Sequence, residues 1–253
     1  MKHCTSWPYP LWIAHRGAGK LAPENTLAAF RLGASHGHWA FECDVKLSAD
    51  GVPFLLHDAT LDRTTGQAGL AGERDWAALS QLDAGSWHSP AYAGEPIPTL
   101  AGIARYCLAN GHLLDLEIKP TPGDEARTGR GVGAEAARLW AGPATPPPLL
   151  SSFRPEALMG ARETAPHLPR ALLLDTLWAG WFEVARELGC VAVVTHQRCM
   201  DAALVERLHT AGWRALVYTV NEAERAQALI ALGVDGIVTD AVDRFSPGRP
   251  TGG

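Results

Sequence analysis

Short apolar runs alternate with amphipathic helical patterns along almost the whole chain. Eight of these runs are predicted to be β-strands, at residues 11–14, 40–46, 113–118, 149–152, 171–174, 191–195, 215–220 and 236–238. Strands that alternate with helices favour an α/β fold with a mainly parallel sheet. The 253 residues match the ~250 residues of one (β/α)₈ barrel. We predict a TIM barrel; the periodicity alone is also compatible with a doubly wound open sheet.

The predicted helices fill the intervals between these strands. They lie at residues 25–35, 99–110, within 134–140, and at 155–165, 181–188, 202–211 and 222–232. Residues 120–133 are rich in proline and glycine and are predicted to be a loop. Within them, residues 129–133 only faintly resemble a dinucleotide-binding loop, because they do not directly follow a strand.

One interval is too long for an ordinary connection. An extended piece at residues 52–56 follows the second strand, and residues 58–98 then separate it from the next helix. Connections between a strand and a helix are usually a few residues long. We therefore predict that residues 58–98 form a small insertion with its own hydrophobic cluster, inside a single domain that spans residues 1–253.

The composition excludes several classes of protein. There are 22 Lys and Arg against 27 Asp and Glu, a balance opposite to that of a nucleic-acid-coating or polybasic membrane protein. No apolar run approaches the ~20 residues of a membrane span, so we expect no stable membrane anchor. The five scattered cysteines form no CxxC pair, and residues 1–10 lack the apolar core of a secretory signal. We expect a cytoplasmic protein.

Two of the predicted strands carry acidic residues at alternating positions. Glu42 and Asp44 share one face of the second strand, and Asp115, Glu117 and Lys119 share one face of the third. Because side chains alternate between the two faces of a strand, their apolar neighbours must face the helices. In a closed barrel the charged set then points into the interior, where buried charges need partners or a metal ion.

Two interpretations of this set remain open. Glu42, Asp44 and Glu117 offer three carboxylates to one hard divalent cation, Mg²⁺ or Ca²⁺, with Mn²⁺ as a third choice. The same residues also suit an ion-pair network with Lys46 and Lys119, without any metal.

Two histidines stand at the ends of predicted strands. His15 follows the first strand, and His57 follows the extended piece at residues 52–56. The carboxyl ends of the strands form the active face of a parallel barrel, so both histidines are candidate general acids or bases. Arg16 offers a fork for a phosphate or a carboxylate group. Trp87 and Tyr218 are the aromatic residues we place nearest the mouth, as candidates for substrate binding.

An ordered set of motifs resembles the glycerophosphodiester phosphodiesterase family, in particular its small soluble bacterial branch. The motifs are His15-Arg16-Gly17, Pro23-Glu24-Asn25-Thr26, Glu42-Cys43-Asp44-Val45, His57-Asp58, Leu61-Asp62-Arg63-Thr64-Thr65, Glu117-Ile118-Lys119-Pro120, Tyr218-Thr219-Val220-Asn221 and Asp235-Gly236-Ile237-Val238-Thr239-Asp240. Each motif is weak alone, but together they run in the family order over nearly the whole chain.

The resemblance implies a TIM barrel with a small insertion after the second strand. It implies metal-dependent hydrolysis of glycerophosphodiesters, such as glycerophosphocholine and glycerophosphoethanolamine, to sn-glycerol 3-phosphate and an alcohol. Position by position, it implies Glu42, Asp44 and Glu117 as metal ligands, His15 and His57 as the acid/base pair, and Arg16 and Lys119 as phosphate ligands. Tyr218 departs from the family, which usually has Trp before Thr-Val-Asn, although an aromatic wall is retained.

Two alternative functions remain open. One is a lysophospholipase D-like or sphingomyelinase D-like enzyme of the same fold, which needs a means of meeting lipid. The other is a non-catalytic protein that binds phosphate ligands at a barrel mouth, which the presence of both histidines and all three carboxylates disfavours. The predicted partner is a small-molecule substrate, and the sequence leaves the oligomeric state undetermined.

Overall fold

The computed structural model of the protein describes residues 7–142 and 146–245. Nine strands form one sheet: β1 Trp12–Ala14, β2 Ala40–Leu47, β3 Pro53–Leu55, β4 Leu113–Ile118, β5 Leu149–Ser152, β6 Arg170–Leu174, β7 Ala192–His196, β8 Arg214–Tyr218 and β9 Gly236–Thr239. Eight of them are parallel neighbours in the order β1, β2, β4, β5, β6, β7, β8, β9. The short β3 instead pairs antiparallel with the end of β2.

The sheet closes on itself through β1. Ala14 is in register with Phe41 of β2 and also with Thr239 of β9, so the first strand joins both ends of the sheet. This closure confirms the TIM barrel and excludes the open sheet. At the amino-terminal end of the barrel, the hydroxyl of Tyr9 donates to the Leu114 carbonyl at 2.6 Å and accepts from the Leu149 N–H at 2.7 Å.

Nine α-helices surround the barrel or lie in its connections. They are α1 Leu27–Ser35, α2 Asp62–Thr65, α3 Trp76–Leu79, α4 Leu100–Asn110, α5 Glu125–Leu139, α6 Pro155–Thr164, α7 Trp181–Glu187, α8 Ala202–Thr210 and α9 Ala223–Leu232, all within the described ranges. Side-chain oxygens of Thr26, Thr99 and Asp201 accept a backbone N–H in the first turn of α1, α4 and α8 respectively. These are the expected N-cap bonds, since the first N–H groups of a helix lack intrahelical partners.

The core has two layers because strand side chains alternate. One set of strand residues, including Ile13, Leu149 and Val194, fills the barrel interior near its amino-terminal end. The opposite set, including Phe41 and Leu116, packs with the helices. Most polar residues of the interior set lie towards the carboxyl ends of the strands, where the barrel opens, and the buried pair of Asp115 and Ser151 lies deeper.

The prediction of a loop at residues 120–133 is wrong from residue 125 onward, where α5 begins. The glycines inside this helix have a packing role. A Cβ atom at Gly129 would overlap the backbone carbonyl of Ala157 in α6, and one at Gly133 would lie 3.0 Å from Ala161. Glycine therefore allows α5 and α6 to approach closely, and this contact outweighs the low helix propensity of glycine.

Residues 58–98, called the insertion below, connect β3 to α4 at the carboxyl end of the barrel. They contain α2, α3 and 3₁₀ turns at Ala71–Glu73 and Pro90–Tyr92. Apolar residues of the insertion pack with Phe54 and Leu56 in a cluster separate from the barrel core. Within the described residues, no helix combines the length and the apolar character needed to cross a membrane.

Candidate active site

A cavity of about 310 Å³ opens at the carboxyl ends of the barrel strands. Seven of the nine predicted site residues line it: His15, Arg16, Glu42, His57, Glu117, Lys119 and Tyr218. Asp44 lies against the same group, within reach of Arg16 and Lys119. The fold therefore brings together residues that are spread over about 200 positions of sequence.

Three buried carboxylates form the centre of the site. Asp44 and Glu117 are paired in register on β2 and β4, and Glu42 lies two residues earlier on β2. One oxygen from each of the three lies within 4.8 Å of the others. All three side chains project to the interior face, as the alternation of β2 and β4 predicts.

Burial and neighbouring charges give these three carboxylates different pKa values. Burial and the adjacent Asp44 raise the pKa of both Glu42 and Glu117. Burial also opposes ionisation of Asp44, but the Arg16 guanidinium and the Lys119 ammonium outweigh it and hold the pKa of Asp44 well below its usual range. The protein therefore supplies enough positive charge for one carboxylate, while the other two resist ionisation unless a further cation is present.

The donor set fits a hard divalent cation. Glu42 Oε1 and Asp44 Oδ1 are buried without a hydrogen-bond partner in the described structure. Glu117 Oε1 lies 3.0 Å from Lys119 Nζ as an ion pair, but without hydrogen-bond geometry. Buried carboxylate oxygens without partners are costly, and Mg²⁺ and Ca²⁺ prefer such oxygen ligands.

An ion-pair network explains only part of the same arrangement. Lys119 Nζ lies 3.0 Å from Glu117 and 3.7 Å from Asp44, as that interpretation predicts. Lys46, in contrast, donates to the backbone carbonyl of Lys119 at 3.2 Å. Burial lowers the pKa of the Lys46 amine to about 8. Among the described ion pairs of these carboxylates, Lys119 therefore takes part and Lys46 does not.

Arg16 is fixed by three acidic residues at the end of β1. Its Nε lies 3.1 Å from Asp44 Oδ2, its Nη1 lies 3.0 Å from Glu24 Oε1, and its backbone N–H donates to Glu42 Oε2 at 3.2 Å. Its φ of 51° is unusual for a residue other than glycine. Local backbone strain of this kind persists only where the surroundings determine it, and it concentrates at functional sites.

Asn25 completes the support of Asp44. Its side-chain Nδ2 donates to Asp44 Oδ2 at 2.8 Å, and its Oδ1 accepts the backbone N–H of Asp44 at 3.1 Å. Asn25 also has a positive φ, of 60°, and its own N–H donates to the Arg16 carbonyl at 3.0 Å. The turn before α1 thereby determines where the Asp44 carboxylate lies.

His15 forms the first of two histidine–aspartate pairs. Its Nδ1 lies 2.6 Å from Asp240 Oδ1, and its Nε2 lies 3.7 Å from Glu42 Oε2. Asp240 Oδ2 accepts from Asn221 Nδ2 at 3.0 Å, and the Asp240 backbone N–H donates to Asn221 Oδ1 at 2.9 Å. A carboxylate at Nδ1 places the proton there and directs a basic Nε2 towards the carboxylate cluster.

His57 forms the second pair. Its Nδ1 lies 2.7 Å from Oδ1 of Asp58, the next residue in the chain. Arg63 of the insertion donates to Asp58 through Nε at 2.6 Å and to both oxygens of Glu24 at 2.7 Å. Burial, together with the positive charges of Arg16 and Lys119, lowers the pKa of His57. A neutral His57 near pH 7 is the form that accepts a proton.

The two predicted aromatic residues lie in different places. Tyr218 forms part of the cavity wall and contacts Phe153 edge to face, with ring centroids 5.6 Å apart. Trp87 lies in the insertion under the Arg63 guanidinium, 5.7 Å from the ring centroid. Within the described chain, Trp87 is absent from the residues that line the cavity. Its role in substrate binding stays a prediction.

Sequence reasoning left four supporting residues without a role: Glu24, Asn25, Arg63 and Asp240. Each belongs to a motif that carries the family resemblance, but only the fold shows what each contacts. One signal was available for Asp240, which directly follows β9. In a closed barrel the last strand neighbours the first, so a carboxylate there is placed beside His15.

Comparison with known proteins agrees with this geometry. The model of the glycerophosphoryl diester phosphodiesterase family matches residues 15–244. The Bacillus subtilis protein YhdW is 34% identical over 237 residues, covering 91% of this chain and 94% of its own. A glycerophosphodiester phosphodiesterase of Caldanaerobacter subterraneus is 31% identical over 234 residues, covering 91% and 93% respectively.

A solved structure is similar over the same extent. It is a phosphodiesterase of Oleispira antarctica in complex with the product sn-glycerol-3-phosphate, with a TM-score of 0.85 and 35% identity. The similarity covers 93% of this chain and 94% of that one. The chain therefore belongs to the glycerophosphoryl diester phosphodiesterase family and is an enzyme of that class.

Proposed function

We propose that this enzyme hydrolyses glycerophosphodiesters, such as glycerophosphocholine and glycerophosphoethanolamine, to sn-glycerol 3-phosphate and an alcohol in a metal-dependent reaction. The observation that carries the proposal is one cavity in which two histidine–aspartate pairs flank three buried carboxylates. This arrangement joins two proton-transfer groups to a site for a divalent cation. Both are needed to cleave a phosphodiester near pH 7.

The first task of the site is to receive an anionic phosphate beside three carboxylates. Lys119, directly after β4, and Arg16, just after β1, both line the cavity. Their positive charges attract the phosphate, and fixed charges in a partly buried site act strongly because water does not screen them. Arg16 is already held by Glu24 and Asp44, so it is positioned before substrate arrives.

Glu42, Asp44 and Glu117 would hold the cation. With Mg²⁺, Ca²⁺ or Mn²⁺ bound there, the site would gain Lewis-acid chemistry towards phosphate oxygens. Glu42 and Glu117 would ionise more readily beside such a positive charge, since burial raises the pKa of both.

His15 and His57 would transfer the protons. Each histidine has an aspartate at Nδ1, which leaves Nε2 for the reacting groups. One histidine removes the proton of the attacking hydroxyl, and the other gives a proton to the leaving oxygen of the alcohol. The attacking hydroxyl belongs either to water or to the glycerol moiety.

The direct test is incubation of the purified protein with glycerophosphocholine and measurement of released sn-glycerol 3-phosphate. We expect EDTA to abolish release and one of Mg²⁺, Ca²⁺ or Mn²⁺ to restore it. Release that persists unchanged in EDTA would refute metal dependence. No release from any glycerophosphodiester with any of the cations would refute the proposed activity, and a long-chain lysophospholipid is then the next substrate to assay.

The residue roles are tested by substitution. His15→Ala and His57→Ala should each lower kcat by at least about 100-fold with little change in melting temperature, since general acid–base catalysis contributes at least this much. His209→Ala is the matched control, because His209 pairs with Asp235 at 2.8 Å outside the cavity. Wild-type kcat in both cavity variants would refute the assigned roles.

The metal ligands are tested by binding rather than by activity. Glu117→Gln should weaken calorimetric affinity for the activating cation, because it replaces one of three carboxylate ligands with a neutral amide. Glu163→Gln is the control, since Glu163 is an exposed partner of Arg130 on the outer helices. Equal cation affinity in the two variants would remove Glu117 from the ligand set.

We further propose a cytoplasmic location. Four described cysteines, Cys43, Cys107, Cys190 and Cys199, are free, and the first three are buried. Free thiols of this kind are typical of a reducing compartment. Fractionation of cells that express the natural protein tests the location, and recovery outside the cytoplasmic fraction would contradict it.

A further inference from the structure

A second and larger space opens beside the cavity. This groove has a volume of about 820 Å³ and shares His57, Glu117, Lys119, Phe153 and Leu173 with the cavity. The shared residues make the two spaces continuous, with His57 and Lys119 at their junction. A substrate whose phosphate contacts Lys119 therefore has room for one end in the cavity and for the other in the groove.

The two spaces differ in ways that suit the two ends of a glycerophosphodiester. The cavity is the smaller, and side chains from nearly all strands of the barrel enclose it. The groove is larger and is bounded on its outer side by the connections that follow β5 and β6. Hydrolysis of this class of substrate always gives the same glycerol phosphate, whereas the alcohol varies in size. The invariant part fits the enclosed cavity, and the variable alcohol fits the groove.

The outer wall of the groove carries one carboxylate that is not engaged by a cation. Asp58 is bound by Arg63, and Glu117 is paired with Lys119. Asp175, which follows β6, is exposed, and its Oδ1 accepts from the neighbouring Thr176 hydroxyl at 3.3 Å, but no ion pair to it is found among the described residues. A carboxylate without a cationic partner at the edge of a groove is available to a positively charged ligand.

An aromatic side chain lies on the same wall. Trp178 follows Asp175 by three positions, lines the groove and is 38% exposed. Tryptophan faces attract ammonium groups, including quaternary ones, through the quadrupole of the ring. An exposed tryptophan is unusual for a packing residue, but it suits a wall that a ligand covers.

We propose that this groove is the subsite for the leaving alcohol, and that Asp175 and Trp178 make it selective for alcohols that carry a positively charged nitrogen. The subsite rests on the proposed hydrolysis of glycerophosphodiesters. Choline, ethanolamine and serine share the ammonium group, whereas glycerol lacks it. Arg154, on the neighbouring connection after β5, also lines the groove and is exposed, so it opposes a cationic alcohol.

The test compares glycerophosphocholine with glycerophosphoglycerol, whose leaving alcohol is uncharged. The measured quantity is the ratio of kcat/KM for the cationic substrate to that for the neutral one. Asp175→Asn should lower this ratio about fivefold, the range of a single exposed charge interaction. Trp178→Leu should lower it by about two- to fivefold, as for an exposed cation–π contact. Arg154→Gln should raise it, because it removes a repulsive charge.

Asp175→Asn and Arg154→Gln should change the kcat/KM ratio in opposite directions, which separates recognition of the alcohol from a structural effect. A variant that merely disturbs the fold lowers kcat/KM for both substrates and leaves their ratio unchanged. Glu163→Gln, which removes an exposed carboxylate outside the groove, is the matched control and should leave the ratio at the wild-type value. Unchanged ratios in both Asp175→Asn and Arg154→Gln would overturn the proposed subsite while leaving the hydrolytic function intact.

A second measurement uses the alcohol itself. Choline should inhibit hydrolysis of glycerophosphoglycerol by the wild-type enzyme in a competitive manner, and Asp175→Asn should raise the inhibition constant about fivefold. Equal inhibition of both proteins would overturn the role of Asp175. Absence of turnover of either substrate by the wild-type enzyme would instead refute the proposed function, and the subsite with it.

Discussion

Replacement of Asp240 by asparagine tests how the fold prepares His15. Asp240 Oδ2 accepts from Asn221 Nδ2, while Oδ1 lies 2.6 Å from His15 Nδ1. The orientation of the Asn221 amide is fixed, because its Oδ1 accepts the backbone N–H of Asp240 at 2.9 Å. In the Asp240→Asn variant the new amide must therefore direct its oxygen to Asn221 and its NH₂ to His15.

This exchange imposes the wrong tautomer on His15. Nδ1 becomes the hydrogen-bond acceptor, the proton moves to Nε2, and no lone pair faces the reacting groups. In a serine protease triad, the equivalent substitution lowers kcat by about 10⁴-fold. For Asp240→Asn we expect kcat to fall by about 10²- to 10⁴-fold, which corresponds to about 2.7–5.4 kcal/mol of activation free energy. Glu42 also lies near His15 Nε2, at 3.7 Å.

The double variant Asp240→Asn/Asn221→Asp reverses the imposed orientation. The carboxylate at position 221 accepts both the backbone N–H of Asp240 and the NH₂ of the new amide, whose oxygen then faces His15. We expect kcat to recover at least about tenfold relative to the single variant, because the tautomer is restored although the negative charge is displaced.

The assay is kcat for glycerophosphocholine at saturating substrate, with melting temperature measured alongside. Asp235→Asn is the control, since Asp235 accepts from His209 Nε2 at 2.8 Å outside the cavity. This control should retain kcat within about threefold of wild type. A single variant that retains wild-type kcat, or a double variant no faster than the single one, would refute this account of His15.

Three further predictions concern supporting residues. Tyr9→Phe should lower the free energy of unfolding by about 1–3 kcal/mol in denaturant melts, since it leaves the buried Leu149 N–H unpaired; an unchanged midpoint would contradict the bridging role of the hydroxyl. Arg63→Met should lower kcat more than it raises KM, because Arg63 orients the Asp58 carboxylate that holds His57; a purely KM effect would place Arg63 in substrate binding instead. Gly19→Ala should lower both the melting temperature and kcat, because φ is 58° at Gly19 and a Cβ atom there would overlap the Asp240 backbone. Wild-type values of both quantities would refute that close approach.

The sequence alone determined the alternation of strands and helices and predicted the central residues of the candidate site, while the choice of a barrel over an open sheet rested on the family resemblance and the chain length. Strand side chains alternate with a period of two, so charges at alternate positions of β2 and β4 had to share the interior face of the barrel. This is why Glu42, Asp44 and Glu117 were predictable as one cluster. His15 and His57 were predictable because residues at the carboxyl ends of parallel strands meet at one mouth.

The loop prediction made from local composition was wrong where helix packing decided the structure. The glycines of residues 129–133 favour a loop on propensity alone, yet they lie inside α5. Helix propensity differs by about 1 kcal/mol between glycine and alanine, which close packing against α6 easily exceeds. Trp87 illustrates a related limit, because sequence identifies an aromatic residue of the insertion but not the surface to which the insertion turns it.

Only the tertiary structure decided which groups hold the candidate catalytic residues in place. Asp240 lies 225 positions from His15, and Arg63 lies 39 positions from Glu24. Those contacts exist because β1 closes the barrel against β9 and because the insertion brings Arg63 to Glu24 in the turn before α1. The pKa values of the carboxylates also depend on the fold. The pKa of Asp44 falls beside Arg16 and Lys119, while burial raises the pKa values of Glu42 and Glu117. The sequence specifies side chains and their local direction, but distance and burial set electrostatic interactions, and both arise only when the chain has folded.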